Sequence, residues 1–200
     1  MERADFLATV DSTWFSQCLI DEALVEALKK IKLIICDVDG TLTDASVYVS
    51  AEGEGGRLFN VQDGFIVKPA MQAGLHIAFV SGKDNKSTIE RAKKLGIPEN
   101  LCIVGMESKH EVVKKLQQEQ NVTTNEILVF GDDFLDADIK LHKLAGMYVC
   151  PANAIFYLQP LADLIIPRGG GQGAFRLLLD LILYVQNKHF AQQLIEQALQ

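Results

Sequence analysis

Short apolar runs recur along the chain, and most of them end in polar residues. The run 31–36 is rich in β-branched residues, which is typical of a fully buried strand. Similar runs lie at 75–80, 101–104, 126–130, 147–150 and 163–166. Stretches with helical spacing lie between them or after them, at 65–73, 87–95, 107–119, 135–144, 152–158 and 174–187. Repeated strand–helix units predict the α/β class, with one Rossmann-like parallel sheet that has helices on both of its faces.

One segment departs from this alternation. Residues 46–50 and 57–61 alternate polar and apolar side chains on either side of a glycine-rich turn. That pattern predicts a small β-hairpin directly after the first strand. A flap over a functional site and a plain surface hairpin are both compatible with it.

The two ends of the chain are predicted to be helical. Residues 14–30 have amphipathic spacing, and Asp11, Ser12 or Thr13 is placed to cap such a helix. We therefore expect a helical extension over 1–30, packed on the body or on another subunit, before a main domain at 31–188. A helical tail over 189–200 completes the predicted organisation.

Composition narrows the class of protein. A chain of 200 residues supports one well-buried core, and its net charge of −7 argues against a nucleic-acid binder. No apolar run approaches the ~20 residues of a membrane span. The four cysteines are scattered without zinc spacing, which is typical of free thiols in a reducing compartment. We expect a cytoplasmic protein that binds neither nucleic acid nor membrane.

Polar residues follow three of the predicted strands, where open α/β sheets keep their sites. These residues are Asp37 and Asp39, then Ser81, then Asp132, Asp133 and Asp136, and Lys109 lies at the start of a predicted helix. So many carboxylates at one sheet edge favour a hard cation, Mg²⁺ before Ca²⁺. A carboxylate nucleophile, a cation, a hydroxyl and a lysine are what phosphoryl transfer through an aspartyl-phosphate requires. A calcium loop is the weaker alternative for 37–43, because no glutamate stands at the closing position near Val49.

These residues resemble a known family. The segment 37–43, Ser81, Lys109 and the segment 131–136 resemble, in order, the four motifs of the haloacid dehalogenase superfamily. Segments 59–64 and 170–176 are similar to its capless subgroup, and the resemblance covers about 31–188. It implies that there is no large cap domain. It also implies a homotetramer in which a neighbour's hairpin and carboxyl-terminal segment close each site.

The resemblance also implies a division of roles. Asp37 is the expected nucleophile and Asp39 the general acid and base, while Ser81 and Lys109 hold the phosphoryl oxygens. Mg²⁺ is expected on Asp37, the backbone carbonyl of Asp39, and Asp132. Behind them, Asp133 and Asp136 are expected to orient waters or Lys109. Further residues expected to bind substrate are Thr41, Gly82, Lys83, Asn60, Asp63 and Arg176.

The implied activity is a Mg²⁺-dependent phosphatase acting on a phosphorylated acidic sugar. The expected substrate is the phosphate ester of an eight-carbon keto sugar acid used in lipopolysaccharide synthesis. Lys83, Gln62 and Gln172 stand where the subgroup has arginines, so the carboxylate is held differently or the sugar differs. The alternatives are therefore another sugar phosphate, such as that of a nine-carbon keto acid, or a non-catalytic oligomerisation or regulatory module. The intact acid set weighs against the last of these.

Overall fold

A computed structural model describes residues 10–51, 53–106, 108–133 and 144–188. Its helices are α1 (Val10–Ile20), α2 (Glu22–Lys30), α3 (Val61–Phe65), α4 (Val67–Gln72), α5 (Lys86–Leu95), α6 (Lys109–Glu119) and α7 (Ala174–Val185). Its strands are β1 (Leu33–Cys36), β2 (Val49–Ser50), β3 (Gly53–Glu54), β4 (His76–Ser81), β5 (Cys102–Val104), β6 (Ile127–Phe130), β7 (Met147–Pro151) and β8 (Leu164–Ile166). Three short 3₁₀ turns lie at Glu99–Leu101, Thr124–Glu126 and Gln159–Leu161.

Six of the strands form one parallel sheet in the order β5-β4-β1-β6-β7-β8. Strand β1 lies between β4 and β6, with Cys36 opposite both Phe79 and Phe130. The three strands therefore end at the same edge, and the residues that follow them lie side by side. The predicted α/β class and parallel sheet are confirmed.

The sheet is held by apolar side chains that the sequence presents on both of its faces. All four residues of β1 and of β6 are buried, as expected for central strands covered by helices on both sides. Helix α7 closes one face: the ring of Phe175 stacks on Phe130 at 5.9 Å and meets Phe79 edge-on at 6.4 Å. This aromatic cluster lies directly beneath the edge where β1, β4 and β6 end.

The predicted amino-terminal helix is two helices, α1 and α2. Asp21 separates them, and its side chain accepts a hydrogen bond from the backbone N–H of Leu24, so Asp21 is the cap of α2. The expected caps at Asp11, Ser12 and Thr13 are wrong, because all three residues lie within α1.

Contacts between α1 and the body fix the extension in place. The indole N–H of Trp14 donates to the carbonyl of Ile165 at 3.0 Å, and Arg168 pairs with Asp11. The ring of Phe15 packs edge-on against Tyr184 at 5.5 Å. Of the two packing partners expected from the sequence, the body of the same chain is the one observed.

Two other expectations are corrected. The hairpin is confined to β2 and β3, and residues 57–60 are not a strand because Asn60 already caps α3. The helix expected at 152–158 is absent, and this segment forms turns that lead into the 3₁₀ turn at Gln159–Leu161. The predicted helix at 135–144 falls almost wholly outside the described residues, as do the tail at 189–200 and Asp136.

The apolar stripe of α7 belongs to the core. The side chains concerned, all at most 1% exposed, are Phe175, Leu178, Leu179, Ile182 and Leu183. The chain itself therefore buries this stripe. Within the described ranges, no helix has the length and apolar character needed to cross a bilayer.

Candidate active site

Asp37 is the first residue after β1, and its backbone N–H donates to the carbonyl of Phe130 at 2.9 Å. Asp37 is 9% exposed, and its side chain accepts a hydrogen bond from Lys109 Nζ at 2.6 Å. Lys109 is equally buried. It is the first residue of α6, and the side chain of Ser108 caps this helix by accepting a hydrogen bond from the N–H of Glu111. The structure thus holds a carboxylate and an ammonium together at the carboxyl edge of the sheet.

Asp39 lies two residues further on and is held by side chains from two other elements. Its Oδ1 accepts from Arg57 Nε at 2.5 Å, and its Oδ2 accepts from Arg57 Nη2 at 3.4 Å. Ser81, the buried last residue of β4, donates its hydroxyl to the same Oδ2 at 3.3 Å. Ser81 and Asp39, which the sequence placed in one site, are therefore in contact.

Asp132, two residues after β6, completes the edge. Its Oδ1 accepts from the hydroxyl of the buried Thr41 at 2.8 Å. A Cβ at Gly40, where φ is +92°, would lie 2.1 Å from Asp132 Oδ2, so only glycine allows this approach. The pKa of Asp132 is raised to about 6, mainly by burial and also by the negative charges of Asp37 and Asp133, against the opposing hydrogen bond from Thr41.

The acidic loop 37–43 rests on the glycine segment 169–173. Asn153 bridges the two: its Nδ2 donates to the carbonyl of Gly40 at 2.8 Å, and its Oδ1 accepts from the N–H of Gly170 at 2.6 Å. A Cβ on Gly170 would lie 1.9 Å from the carbonyl oxygen of Gly40, so the backbones touch. The glycine segment therefore fixes the position of the acidic loop relative to the core.

Asn60 and Asp63 attach the start of α3 to the same glycine segment. The Asn60 amide donates to the carbonyl of Gly171 at 3.0 Å. Asp63 is 3% exposed and accepts from the backbone N–H groups of Gly173 and Arg176 at 3.2 and 2.8 Å. Burial raises the pKa of Asp63, and these N–H bonds oppose that rise. Both side chains have a structural task here, and their expected contact with substrate stays a prediction.

The other residues expected to bind substrate are placed differently. Gly82 and Lys83 follow β4 at the exposed rim of the site, and Lys83 Nζ lies 3.7 Å from Glu54 Oε1. The side chain of Arg176 points along α7, where it pairs with Asp180 at 2.6 Å and covers the ring of Phe65. No described contact joins Arg176 to the acidic loop.

Two residues of this site had not been expected from the sequence. Arg57 holds Asp39, and its side chain is 3% exposed; Asn153 holds Gly40. Hydrogen bonding to Asp39 raises the pKa of Arg57, with the charges of Asp39 and Glu54 adding to that effect. The only sequence signal for Arg57 was its place beside a predicted flap, and Asn153 carried none.

The carboxylates can be tested for their fit to a magnesium ion. Among the described residues, no three His, Cys, Asp or Glu side chains form a cage for a cation. Mg²⁺ does not need one, because it binds through one or two carboxylates together with waters and phosphate oxygens. Asp37 and Asp132 supply those carboxylates, and the charge of Asp37 adds to the burial that raises the pKa of Asp132, a repulsion that a cation would relieve. The donor set fits Mg²⁺.

The raised pKa of Asp132 makes stability depend on pH. Because the folded pKa of about 6 exceeds the ordinary pKa of 3.8, the folded state binds more protons between these values, and stability falls as pH rises through this window. The pKa difference corresponds to at most about 3 kcal/mol before solvent screening.

We expect MgCl₂ to raise the unfolding temperature more at pH 7 than at pH 4.5. In Asp132→Asn, MgCl₂ should raise the unfolding temperature less, and stability should fall less as pH rises through this window. If both measurements match wild type, Asp132 is not a magnesium ligand.

Comparison with known proteins places the chain in a family. No family model matches it. A relative from Haemophilus influenzae, the 3-deoxy-D-manno-octulosonate 8-phosphate phosphatase KdsC, is 34% identical over 163 residues, which are 82% of this chain and 88% of the relative. The chain belongs to the 3-deoxy-D-manno-octulosonate 8-phosphate phosphatase family. This family lies in the haloacid dehalogenase superfamily, so the resemblance inferred from the motifs is confirmed.

Solved structures of the phosphatase family and its superfamily agree with this placement. The Moraxella catarrhalis phosphatase, in complex with magnesium, phosphate and KDO, has a TM-score of 0.79 at 30% identity and covers 88% of this chain and 98% of its own. A Legionella pneumophila hydrolase of superfamily subfamily III A has a TM-score of 0.79 at 32% identity, covering 96% and 99%. The similarity to a solved phosphatase of the family therefore extends over 88% of the chain.

Proposed function

We propose that the protein is a Mg²⁺-dependent phosphatase that hydrolyses 3-deoxy-D-manno-octulosonate 8-phosphate to the free sugar acid and phosphate. The observation that carries the proposal is the buried pair of Asp37 and Lys109 beside Asp39 and Asp132. Family membership supports the substrate, because the Haemophilus influenzae relative is named for this activity and the Moraxella catarrhalis structure holds KDO.

In the proposed first step, an Asp37 oxygen attacks phosphorus and the bond to the sugar oxygen breaks. Lys109 and the hydroxyl of Ser81 hold phosphoryl oxygens, where a fixed cation and a donor stabilise charge that develops in the transition state. Asp39, in its protonated form, gives its proton to the departing sugar oxygen. The products of this step are the free sugar acid and an aspartyl-phosphate on Asp37.

In the second step, Asp39 takes a proton from water, and the water oxygen attacks phosphorus and releases Asp37. The burial of Asp37 and Lys109 supports this step, because a site closed to bulk water limits side reactions of the intermediate. Bound Mg²⁺, held by Asp37, the Asp39 carbonyl and Asp132, would offset repulsion between the carboxylates and the phosphate. Asp133 and Asp136 are proposed to orient waters or Lys109.

Lys83 is the first candidate for a contact to the rest of the substrate, because Thr41 is fully buried and donates its hydroxyl to Asp132. Lys83 lies at the rim of the site, with its side chain 55% exposed and beside the flap residue Glu54. A lysine cannot grip a carboxylate with the two-pronged geometry of arginine. Because the expected arginine is missing, a second candidate is another sugar phosphate, such as that of a nine-carbon keto acid.

The homotetramer is part of the proposal. Three large apolar side chains of the flap and the segment after it are 71–82% exposed: Tyr48, Val49 and Leu58. Such side chains favour coverage by a second copy of the chain over contact with water alone. Mass measurement in solution by light scattering tests the count of four.

The function is tested by phosphate release from a panel of sugar phosphates, measured with Mg²⁺ and with EDTA. We expect the octulosonate 8-phosphate to have the highest kcat/KM and EDTA to abolish release. A higher kcat/KM for a nine-carbon acid phosphate would favour the second candidate. Absence of phosphate release from every compound, by folded protein with Mg²⁺, would refute the proposal.

A further inference from the structure

The side chain of Arg57 lies at the junction between the flap and the acidic loop. It is 3% exposed, although its residue belongs to the segment after a surface hairpin. Its guanidinium donates twice to Asp39 and once to Glu54, the last residue of β3, at 3.2 Å. Removing a guanidinium from water to this extent is costly unless charge and hydrogen bonds compensate, and the two carboxylates supply both.

The backbone of Arg57 is anchored as well. Its N–H donates to the hydroxyl of Ser87 at 3.3 Å, and Ser87 lies in the first turn of α5. Arg57 is therefore fixed at one end on the scaffold and at the other on Asp39. A side chain held in this way can set the orientation of a carboxylate, which a freely rotating surface arginine cannot do.

The two oxygens of Asp39 are held unequally. Oδ1 takes the short bond of 2.5 Å from Arg57 Nε, whereas Oδ2 takes two long bonds, at 3.4 Å from Arg57 and at 3.3 Å from Ser81. Long hydrogen bonds are weak and exchange readily. Oδ2 is thus the oxygen that is available to a substrate, while Oδ1 fixes the plane of the carboxylate.

We propose that Arg57 is a positioning residue that fixes the carboxylate of Asp39, so that Oδ2 faces the departing sugar oxygen. This inference rests on the proposed phosphatase function. The planar fork of arginine is needed, because Nε takes the short bond to Oδ1 while Nη2 reaches Glu54 and lies near Oδ2. Glu54 holds the fork from the flap side and so links the flap to the position of the acid.

The test uses the dependence of the reaction on the leaving group. A sugar alcohol departs poorly without a proton, whereas nitrophenolate departs readily, so a misplaced general acid harms only the first reaction. We expect Arg57→Ala to lower kcat/KM for the sugar phosphate about 10- to 100-fold. For para-nitrophenyl phosphate the loss should stay below about 3-fold, since kcat/KM reports only the first transfer. For the sugar phosphate, kcat/KM of Arg57→Lys should lie between the values for Arg57→Ala and wild type.

Arg168→Lys is the matched control, because Arg168 also donates twice to one aspartate, Asp11, on α1. It should leave both values of kcat/KM unchanged. Equal losses for the two substrates in folded Arg57 variants, or no loss at all, would overturn the role of Arg57 while leaving the phosphatase proposal standing. Wild-type protein inactive on both substrates would instead overturn the phosphatase proposal and the inference with it.

Discussion

Replacing Asp37 with Asn is expected to lower kcat by at least about 10⁴-fold, because an amide cannot form the aspartyl-phosphate. The shape of the side chain is kept, and the amide oxygen still faces Lys109 Nζ, which lies 2.6 Å from Asp37 Oδ1. The lysine nevertheless loses the negative charge that it faces in a buried position. We therefore expect a fall of about 1–3 kcal/mol in the free energy of unfolding, less than for truncation of a buried pair.

The control for this variant is Asp11→Asn. It also removes one carboxylate that faces a cation, Arg168, but it does so on α1, away from the sheet edge. Turnover should be unchanged in Asp11→Asn. Phosphate release by Asp37→Asn is measured in single-turnover and steady-state experiments, alongside urea unfolding of both variants. Appreciable turnover in Asp37→Asn would show that another group is the nucleophile.

The parallel sheet followed from local sequence because its strands are short, apolar and buried on both sides. Such runs favour only one environment, and the polar residues after them mark where the strands end. The hairpin was misjudged at 57–61, where the alternation of side chains competes with a capping signal at Asn60. The side-chain oxygen of Asn60 accepts a hydrogen bond from the backbone N–H of Gln62, and α3 begins at the next residue, Val61. In a segment this short, a single cap outweighs the pattern.

The acids could be placed from sequence because each follows its own strand, and parallel neighbours end at one edge. Their supports could not be placed in the same way. Arg57 reaches Asp39 only once the flap has folded back, and Asn153 meets Gly40 from 113 residues away. A side chain that supports another across such a distance leaves no spacing rule in the sequence. What local pattern predicts is therefore the chemistry of the site, and what it omits is the scaffold that fixes its geometry.

The contact between Gly170 and Gly40 gives that scaffold a direct test. In Gly170→Ala the new methyl group would lie 1.9 Å from the Gly40 carbonyl oxygen and 2.8 Å from that of Thr43. Both are backbone atoms, so no side chain can rotate to relieve the clash, and the acidic loop or the glycine segment must move. Overpacking of this kind costs about 1–3 kcal/mol in stability. A shift of about 1 Å at the loop that carries Asp39 is expected to lower kcat/KM about 100-fold.

Gly56→Ala is the matched control, because a Cβ there would meet only the Ser87 Cβ, at 4.0 Å. It should preserve both the unfolding temperature and turnover. In Gly170→Ala we expect turnover to fall more than stability, because the loop can yield while the core remains packed. Thermal unfolding and kcat/KM measured on both variants separate the two effects. If Gly170→Ala were as active as Gly56→Ala, the backbone contact would not set the position of the acidic loop, and β1 with the side chains of Asn153 and Arg57 would have to fix the catalytic geometry.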